Sequence, residues 1–317
     1  MDAPPGVAAG PPRGWRPRQP PKPPRRPPAP PVVVVLTPQD QLLRTILAIV
    51  AALIFGFLAN LTVLGNLQHL VSQQQLTDTL RVELADGTAP VSEGTVDKVL
   101  LADGAPLGII DIPSIGVHEV IVEGSDSGTT RSGPGHRRDT VLPGQAGISV
   151  VMGRNAAYGA PFARLQELAP GEEFTVLTGQ GEQTFAVIGV RYAGDPSPAA
   201  LAAGESRLIL ETARGPAFVP GGVARVDAVL TSETQPAGIR QTSYVTLPAA
   251  HTELATDTST VWALAFALQF FVLVELAAIW AFRRVGVQKT WTVFLPVVTI
   301  GGLLVADQIV RLLPNLL

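Results

Sequence analysis

A mainly β domain held to a membrane by three helices is the architecture the sequence predicts, and three observations predict it. Mean hydropathy is +0.30 and 46% of the 317 residues are hydrophobic, more than an ordinary soluble chain carries. Three long runs, one near the N-terminal third and two near the C-terminus, are apolar over enough residues to cross a bilayer. Between positions 96 and 230 the apolar residues instead fall in short runs, LGIIDI, HEVIVEG, ISVVMG, EFTVLT, QTFAVIGV, RLILET and ARVDAVL, separated by Gly, Pro and Asp. Such a pattern belongs to a β-barrel or a β-sandwich.

Taken in order, positions 1–36 are Pro-rich and basic and predict a disordered, polyproline-like cytoplasmic tail. The tail lacks the short basic start and small-residue cleavage site of a secretory signal, so the first span is expected to be a signal anchor that stays attached. Thr37-Pro38-Gln39-Asp40 reads as a helix start, with Thr37 as N-cap, Pro38 at the first helical position and Asp40 placed to satisfy free N–H groups. Segment 37–84 then holds the first transmembrane helix, about 45–67, and an outer stalk with Leu70, Val71, Leu76, Leu80 and Leu84 at helical spacing. The β domain is expected over 95–231 and a loosely structured Thr- and Ser-rich linker over 232–259. A second span follows over 260–282, a tight loop over 283–290 and a third span over 291–313.

Positive charge sets the orientation. Arg13, Arg16, Arg18, Lys22, Arg25, Arg26 and Arg44 precede the first span, and Arg283, Arg284 and Lys289 fill the loop between the last two. Cytoplasmic flanks keep such charge, so the N-terminus and that loop are expected inside and the β domain outside a plasma membrane. Within the spans, Glu275 and Asp307 are costly in lipid. Asp307 lies four residues before Arg311 and can pair with it along the helix, whereas Glu275 has no evident partner in the chain and points to a second membrane protein or a protonated carboxyl. The basic tail could bind anionic lipid or a cytoplasmic partner.

Four stretches of the β domain resemble the sortase family: LGIIDIPSIGVHEVIVEG (Leu107 to Gly124), GPGHRRDTVLPGQAG (Gly133 to Gly147), VVMGRNAAYGAPFARLQELAPGEEF (Val150 to Phe174) and RLILETA with VARVDAVL (Arg207 to Leu230). The resemblance implies an eight-stranded β-barrel. It also implies a membrane-tethered transpeptidase of Gram-positive bacteria that cuts a sorting signal and joins it to an amine on the cell envelope. In that family a His, a Cys and an Arg form the active site: the thiolate attacks, the imidazole moves protons and the guanidinium steadies the oxyanion. Here Gly153 keeps its place, but Arg154 stands for the His and is followed by Asn155. Thr212 of the Thr-Cys pair is present, Ala213 replaces the Cys, and Arg225 matches the Arg.

The chain contains no cysteine, which excludes disulfides, thiolate catalysis and Cys-ligated metal. A methyl group at Ala213 attacks nothing, and Arg154 stays protonated and cannot act as a base. Thr212 is expected to point away from the groove, because neighbouring strand residues face opposite sides. The four histidines are expected in structural or solvated roles, with His69 and His251 outside the barrel near the membrane, His118 opening a strand and His136 in a turn. No metal or cofactor is expected, and no nucleic-acid motif is visible.

The resulting expectation is a pseudo-sortase without enzymatic activity. Its groove of Arg154, Thr212, Ala213, Arg214 and Arg225 is expected to be cationic and to hold an acidic peptide, a carboxylate or an anionic polymer of an envelope partner. An active transpeptidase or hydrolase with a non-Cys nucleophile is the alternative, and an accessory domain on a transporter subunit is a third reading. The Ala-, Gly-, Val- and Arg-rich composition points to a GC-rich, actinobacteria-like genome. The loop VVMGRNAAYGAPFARL is expected to be a strand, a glycine turn and a short helix.

Overall fold

The computed structural model describes Gly6, residues 37–94 and residues 99–317; the tail expected over 1–36 lies, Gly6 apart, outside the described residues. The chain divides into Met1–Thr45 and Ile46–Leu317. In the first unit the helix start carries the expected cap. Thr37 Oγ1 donates to Asp40 Oδ2 at 2.6 Å, and the Asp40 N–H donates back to Thr37 Oγ1 at 3.2 Å.

Helix α1 (Pro38–Ala59) runs through one π-helical turn, Asn60–Leu64, into α2 (Gly65–Asp86). The stalk is therefore real, but it is not a spacer. On α2, the Gln73 amide donates to Ser132 O at 2.7 Å and accepts the Val120 N–H at 2.7 Å, and Leu80 is fully buried. His69 was expected near the membrane and outside the barrel. It is instead sealed against the β domain, with Nε2 3.0 Å from Glu119 Oε1 and Nδ1 3.2 Å from Arg131 O.

Eight strands form the β domain: β1 (Pro106–Ile112), β2 (Val117–Glu123), β3 (Gly135–His136), β4 (Gly147–Met152), β5 (Glu173–Thr178), β6 (Gly181–Arg191), β7 (Ser206–Ala213) and β8 (Val223–Leu230). They close into a barrel in the order β1-β2-β3-β4-β7-β8-β6-β5, the eight-stranded barrel expected from the resemblance. The pairs β2–β3 and β4–β7 are parallel and the others antiparallel. Strand β3 corrects the reading of GPGH as a turn: His136 is fully buried, Nδ1 3.0 Å from Glu123 Oε2 and Nε2 2.9 Å from Val141 O. Alternate residues fill the interior. Ile110, Ile112, Ile121, Val151, Phe174, Val176, Phe185, Leu208, Leu210 and Val226 form one core, which Phe162, Leu165 and Leu168 of the β4–β5 connection cap.

The segment expected to be a loose linker over 232–259 is ordered against the barrel. Gln235 N–H donates to Gly144 O at 2.9 Å, Thr242 N–H to Glu93 Oε1 at 2.8 Å, and Leu254 packs on the outer face of the barrel. His251 is buried and accepts the Ser125 N–H on Nδ1 at 3.1 Å, a structural role of the kind expected for it. The expected eight-residue loop over 283–290 shrinks to one residue: α3 (Val261–Val285) and α4 (Val287–Arg311) are separated by Gly286 alone, in a positive-φ conformation (φ +93) that favours glycine. Arg283, Arg284 and Lys289 thus lie on helix ends. The α3–α4 pair packs through small residues, with Gly301 against the Phe271 ring, and Gly302 backs onto Gly56 of α1. Three helices are long and apolar enough to cross a membrane: Ile46–Asp86, Thr258–Val285 and Gln288–Arg311.

The rings of Phe174 and Phe185 stack at 5.6 Å in the centre of the core, both almost inaccessible. Phe185→Ala is expected to destabilise the barrel by about 3–5 kcal/mol, read as a lowered midpoint of thermal unfolding of the intact chain in detergent.

Candidate functional site

The residues corresponding to the family's active site lie on the outer face of β4, β7 and β8. Parallel pairing sets Val150 beside Ile209 and Met152 beside Glu211, and the Gly153 N–H extends the ladder to Glu211 O at 2.9 Å. Along β7 the side chains alternate: Leu208 and Leu210 enter the core, while Ile209 and Ala213 join Val150 and Met152 outside. Thr212 follows the inner set. It is fully buried with no hydrogen-bond partner for Oγ1, so its place among the groove residues is corrected.

After Met152 the chain turns at Gly153, where a Cβ would overlap the Phe162 ring. Phe162 N–H donates to Arg154 O at 3.0 Å and closes the loop. Instead of the expected short helix, residues 156–164 are turns followed by one 3-10 turn, Leu165–Glu167. Three successive residues, Tyr158, Gly159 and Ala160, have positive φ of 50, 77 and 46°. Two of them carry side chains that disfavour this conformation, so the surrounding packing must hold it. The Gly159 N–H donates to Asn66 Oδ1 of α2 at 2.8 Å, and Tyr158 is buried with Leu61, Ala157 and Val310.

Arg154 was expected to line an accessible cationic groove; it is 0% exposed. Its guanidinium bridges two parts of the chain. Nη1 donates to the main-chain oxygens of Leu317 at 2.6 Å and Pro314 at 3.3 Å, and Nη2 donates to Ser127 O at 2.7 Å and Oγ at 3.0 Å. The Tyr158 ring covers the cation with its centroid 5.1 Å away. Burial pulls the Arg154 pKa down to about 9, and the group remains charged at neutral pH.

Ala213 is closed off by the same segment of chain, packed with Leu316 and Leu317 in one buried cluster. The Asn155 N–H completes the contact by donating to Leu316 O at 2.9 Å. Of this occupant, Leu313 to Leu317, the sequence reading places only Leu313 in the third span and gives the rest no role. One signal is legible afterwards, Pro314, which stops the helix.

The remaining cations do not converge on Arg154. Arg225 ion-pairs with Glu211 at 2.7 Å and Glu253 at 3.1 Å, and Arg137 braces Glu253 at 3.2 Å. Burial, with Glu253 nearby, lifts the Glu211 carboxyl above its ordinary range despite Arg225. Burial by itself would lower Arg225, and its two carboxylates outweigh that and hold it above its ordinary range. Arg214 is exposed and stacks over the Tyr192 ring at 4.3 Å. The expected cluster of two or three guanidiniums facing one ligand is therefore corrected: one is buried, one is neutralised by carboxylates and one lies on a separate surface.

Asp103, Asp126 and His251 bring ligand atoms within 4.8 Å of one another beside a cleft of about 440 Å³. Each is already engaged. Asp126 accepts from the Gly128 and Thr129 N–H groups, Asp103 from Arg138, and His251 Nδ1 from the Ser125 N–H, which leaves its Nε2 as a donor rather than a metal ligand. On the apolar helix α4 Arg311 Nε lies 2.8 Å from Asp307 Oδ2. Glu275 is half-buried and makes no hydrogen bond or ion pair among the described residues.

Arg154→Met is expected to leave Leu317 O and Ser127 O without their donor, at about 1–3 kcal/mol per orphaned group, while Pro314 O keeps the Leu317 N–H. Arg154→Lys is expected to recover little, because an ammonium cannot fork to both sides at once. Gly153→Ala is expected to cost about 1–3 kcal/mol by driving a methyl into the Phe162 ring. Thermal unfolding of the three variants beside the unaltered chain checks all three values.

Residues 110–218 match the Sortase domain family. An 85-residue stretch is 33% identical to Sortase D of Bacillus subtilis (strain 168), covering 27% of this chain and 41% of that protein. Among solved structures, the Clostridium perfringens sortase D5 transpeptidase aligns at 20% identity and a TM-score of 0.40 over 52% of this chain and 98% of that one. Sortase E1 from Streptomyces coelicolor with a tripeptide in its active site aligns at 22% identity and a TM-score of 0.35, over 42% and 92%. The closed eight-stranded barrel thus contains a stretch, residues 110–218, that is similar to the Sortase domain family.

Proposed function

We propose that this chain is a membrane-anchored, catalytically inactive sortase-like protein that binds a peptide or a protein partner of the bacterial cell envelope. The observation that carries this reading is Ala213, a buried methyl group where the family has its cysteine, in a chain with no cysteine at all. Covalent transfer needs a nucleophile and a base. Arg154, where the family has histidine, offers only N–H donors and stays charged. Thr212, the adjacent hydroxyl, belongs to the inner face of β7 and is fully buried. Loss of one member of such a unit already costs on the order of 10³ to 10⁶ in rate.

The three apolar helices hold the barrel at the outer side of the plasma membrane in this reading, with Arg283, Arg284 and Lys289 on the cytoplasmic side. Glu275, without a partner in the described chain, is where a second membrane protein would dock.

Incubation of the full chain in detergent with a fluorogenic sorting-signal peptide and triglycine is expected to give neither cleaved nor ligated product by mass spectrometry, with an active sortase as control. Ala213→Cys is expected to place a thiol in an apolar cluster, with no base beside it, that alkylates slowly and does not restore transfer. Product from the unaltered chain that disappears in Thr212→Val or Arg225→Ala would overturn the reading.

A further inference from the structure

The cleft beside Ala213 already contains a peptide. Helix α4 ends at Arg311, and Leu313-Pro314-Asn315-Leu316-Leu317 turns back into the outer face of the barrel. Its recognition is dense and comes from separate parts of the chain. Ser127 Oγ donates to Leu313 O at 2.7 Å, Arg154 to Pro314 O and Leu317 O, and the Asn155 N–H to Leu316 O. Asn315 is 0% exposed. Its amide donates to Ser125 O at 2.7 Å and Thr252 O at 2.8 Å, and its N–H donates to Ala255 O at 3.0 Å. Leu316 and Leu317 fill the apolar patch of Val150, Met152 and Ala213.

Here four of five main-chain oxygens have side-chain or main-chain donors, and both leucines are buried. A helix end held only by leftover contacts would not use its backbone acceptors so fully. The replacement at Arg154 fits this occupant. A fork of N–H donors suits two main-chain oxygens on one side and Ser127 on the other, which an imidazole with two ring nitrogens cannot reach together.

We propose that Leu313–Leu317 is a resident intramolecular ligand of the sortase-type cleft, and that an external apolar peptide binds only after this segment leaves. The inference rests on reading the cleft as a peptide site, and goes beyond it by assigning the site's ground-state occupant and hence its regulation. A tethered ligand acts at an effective concentration on the order of mM, so a peptide offered at micromolar concentration is excluded.

Two measurements on the full chain in nanodiscs test this. By hydrogen exchange, the Asn155 amide of the unaltered chain is expected to be as slow as the amides of the β5–β6 hairpin; exchange at the rate of an exposed loop overturns the proposal without any variant. By fluorescence anisotropy, labelled Leu-Leu-Pro-Asn-Leu-Leu is expected to bind the variant Leu316→Asp/Leu317→Asp at least about tenfold more tightly than the unaltered chain. Adding Arg154→Met to that variant is expected to abolish the gain. Equal affinity for the unaltered and altered chains, with the hairpin amides still slow, overturns the proposal. Neither readout involves turnover, so discovery of transferase activity would defeat the non-catalytic reading and leave this one standing.

Discussion

A guanidinium withdrawn from water must be surrounded by acceptors, and the chain around Arg154 supplies them to both terminal nitrogens, leaving Nε alone unpartnered. Three main-chain oxygens and the Ser127 hydroxyl receive its donors, and an aromatic face covers its plane. These acceptors belong to segments far apart in sequence, the loop after β2 and the stretch beyond α4. One side chain therefore joins the barrel, its β4–β5 connection and a membrane helix. Removing water strengthens each of these bonds and raises the cost of losing any one of them.

Period-two alternation on β7 and β8 decides which residues could ever have been reactive. Leu208, Leu210 and Thr212 share the inner side with Val226 and Ala228, whereas Glu211 and Ala213 share the outer side with Arg225. The two halves of the Thr-Ala pair consequently live in different environments separated by the sheet itself. On the outer side the charges form a closed set, Arg225 and Arg137 with Glu211, Glu253 and Asp139. Two guanidiniums face three carboxylates there, and Glu211 Oε2 stays without a partner, so no surplus of positive charge remains to draw an anion into the cleft.

How much of this was readable in the residues depended on whether the determining contacts were local. Seven strands announced themselves by alternation, the three long helices by uninterrupted apolar runs, and the Thr37–Asp40 cap by its spacing. Strand β3 did not, because two residues between glycine-rich turns have no period to display. The ordered path over 232–259, the burial of His69 and His251 and the one-residue α3–α4 connection all rest on partners distant in sequence. At the cleft, the substitutions Arg154 and Ala213 were visible against the family pattern, but a charged residue suggested an open cationic surface. The return of Leu313–Leu317 and the loop holding Ser127 together give Arg154 its partners, and no local signal linked position 154 to position 127 or 317.

The continuous helix Ile46–Asp86 has 41 residues, about 60 Å at 1.5 Å per residue, against a hydrocarbon slab of about 30 Å. Its C-terminal half is fastened along the barrel through His69, Gln73 and Leu80, so the helix acts as a stiff strut rather than a leash. The barrel, and with it the patch beside Ala213, is thereby held at one distance and in one direction from the apolar half of that helix, with no slack to swing.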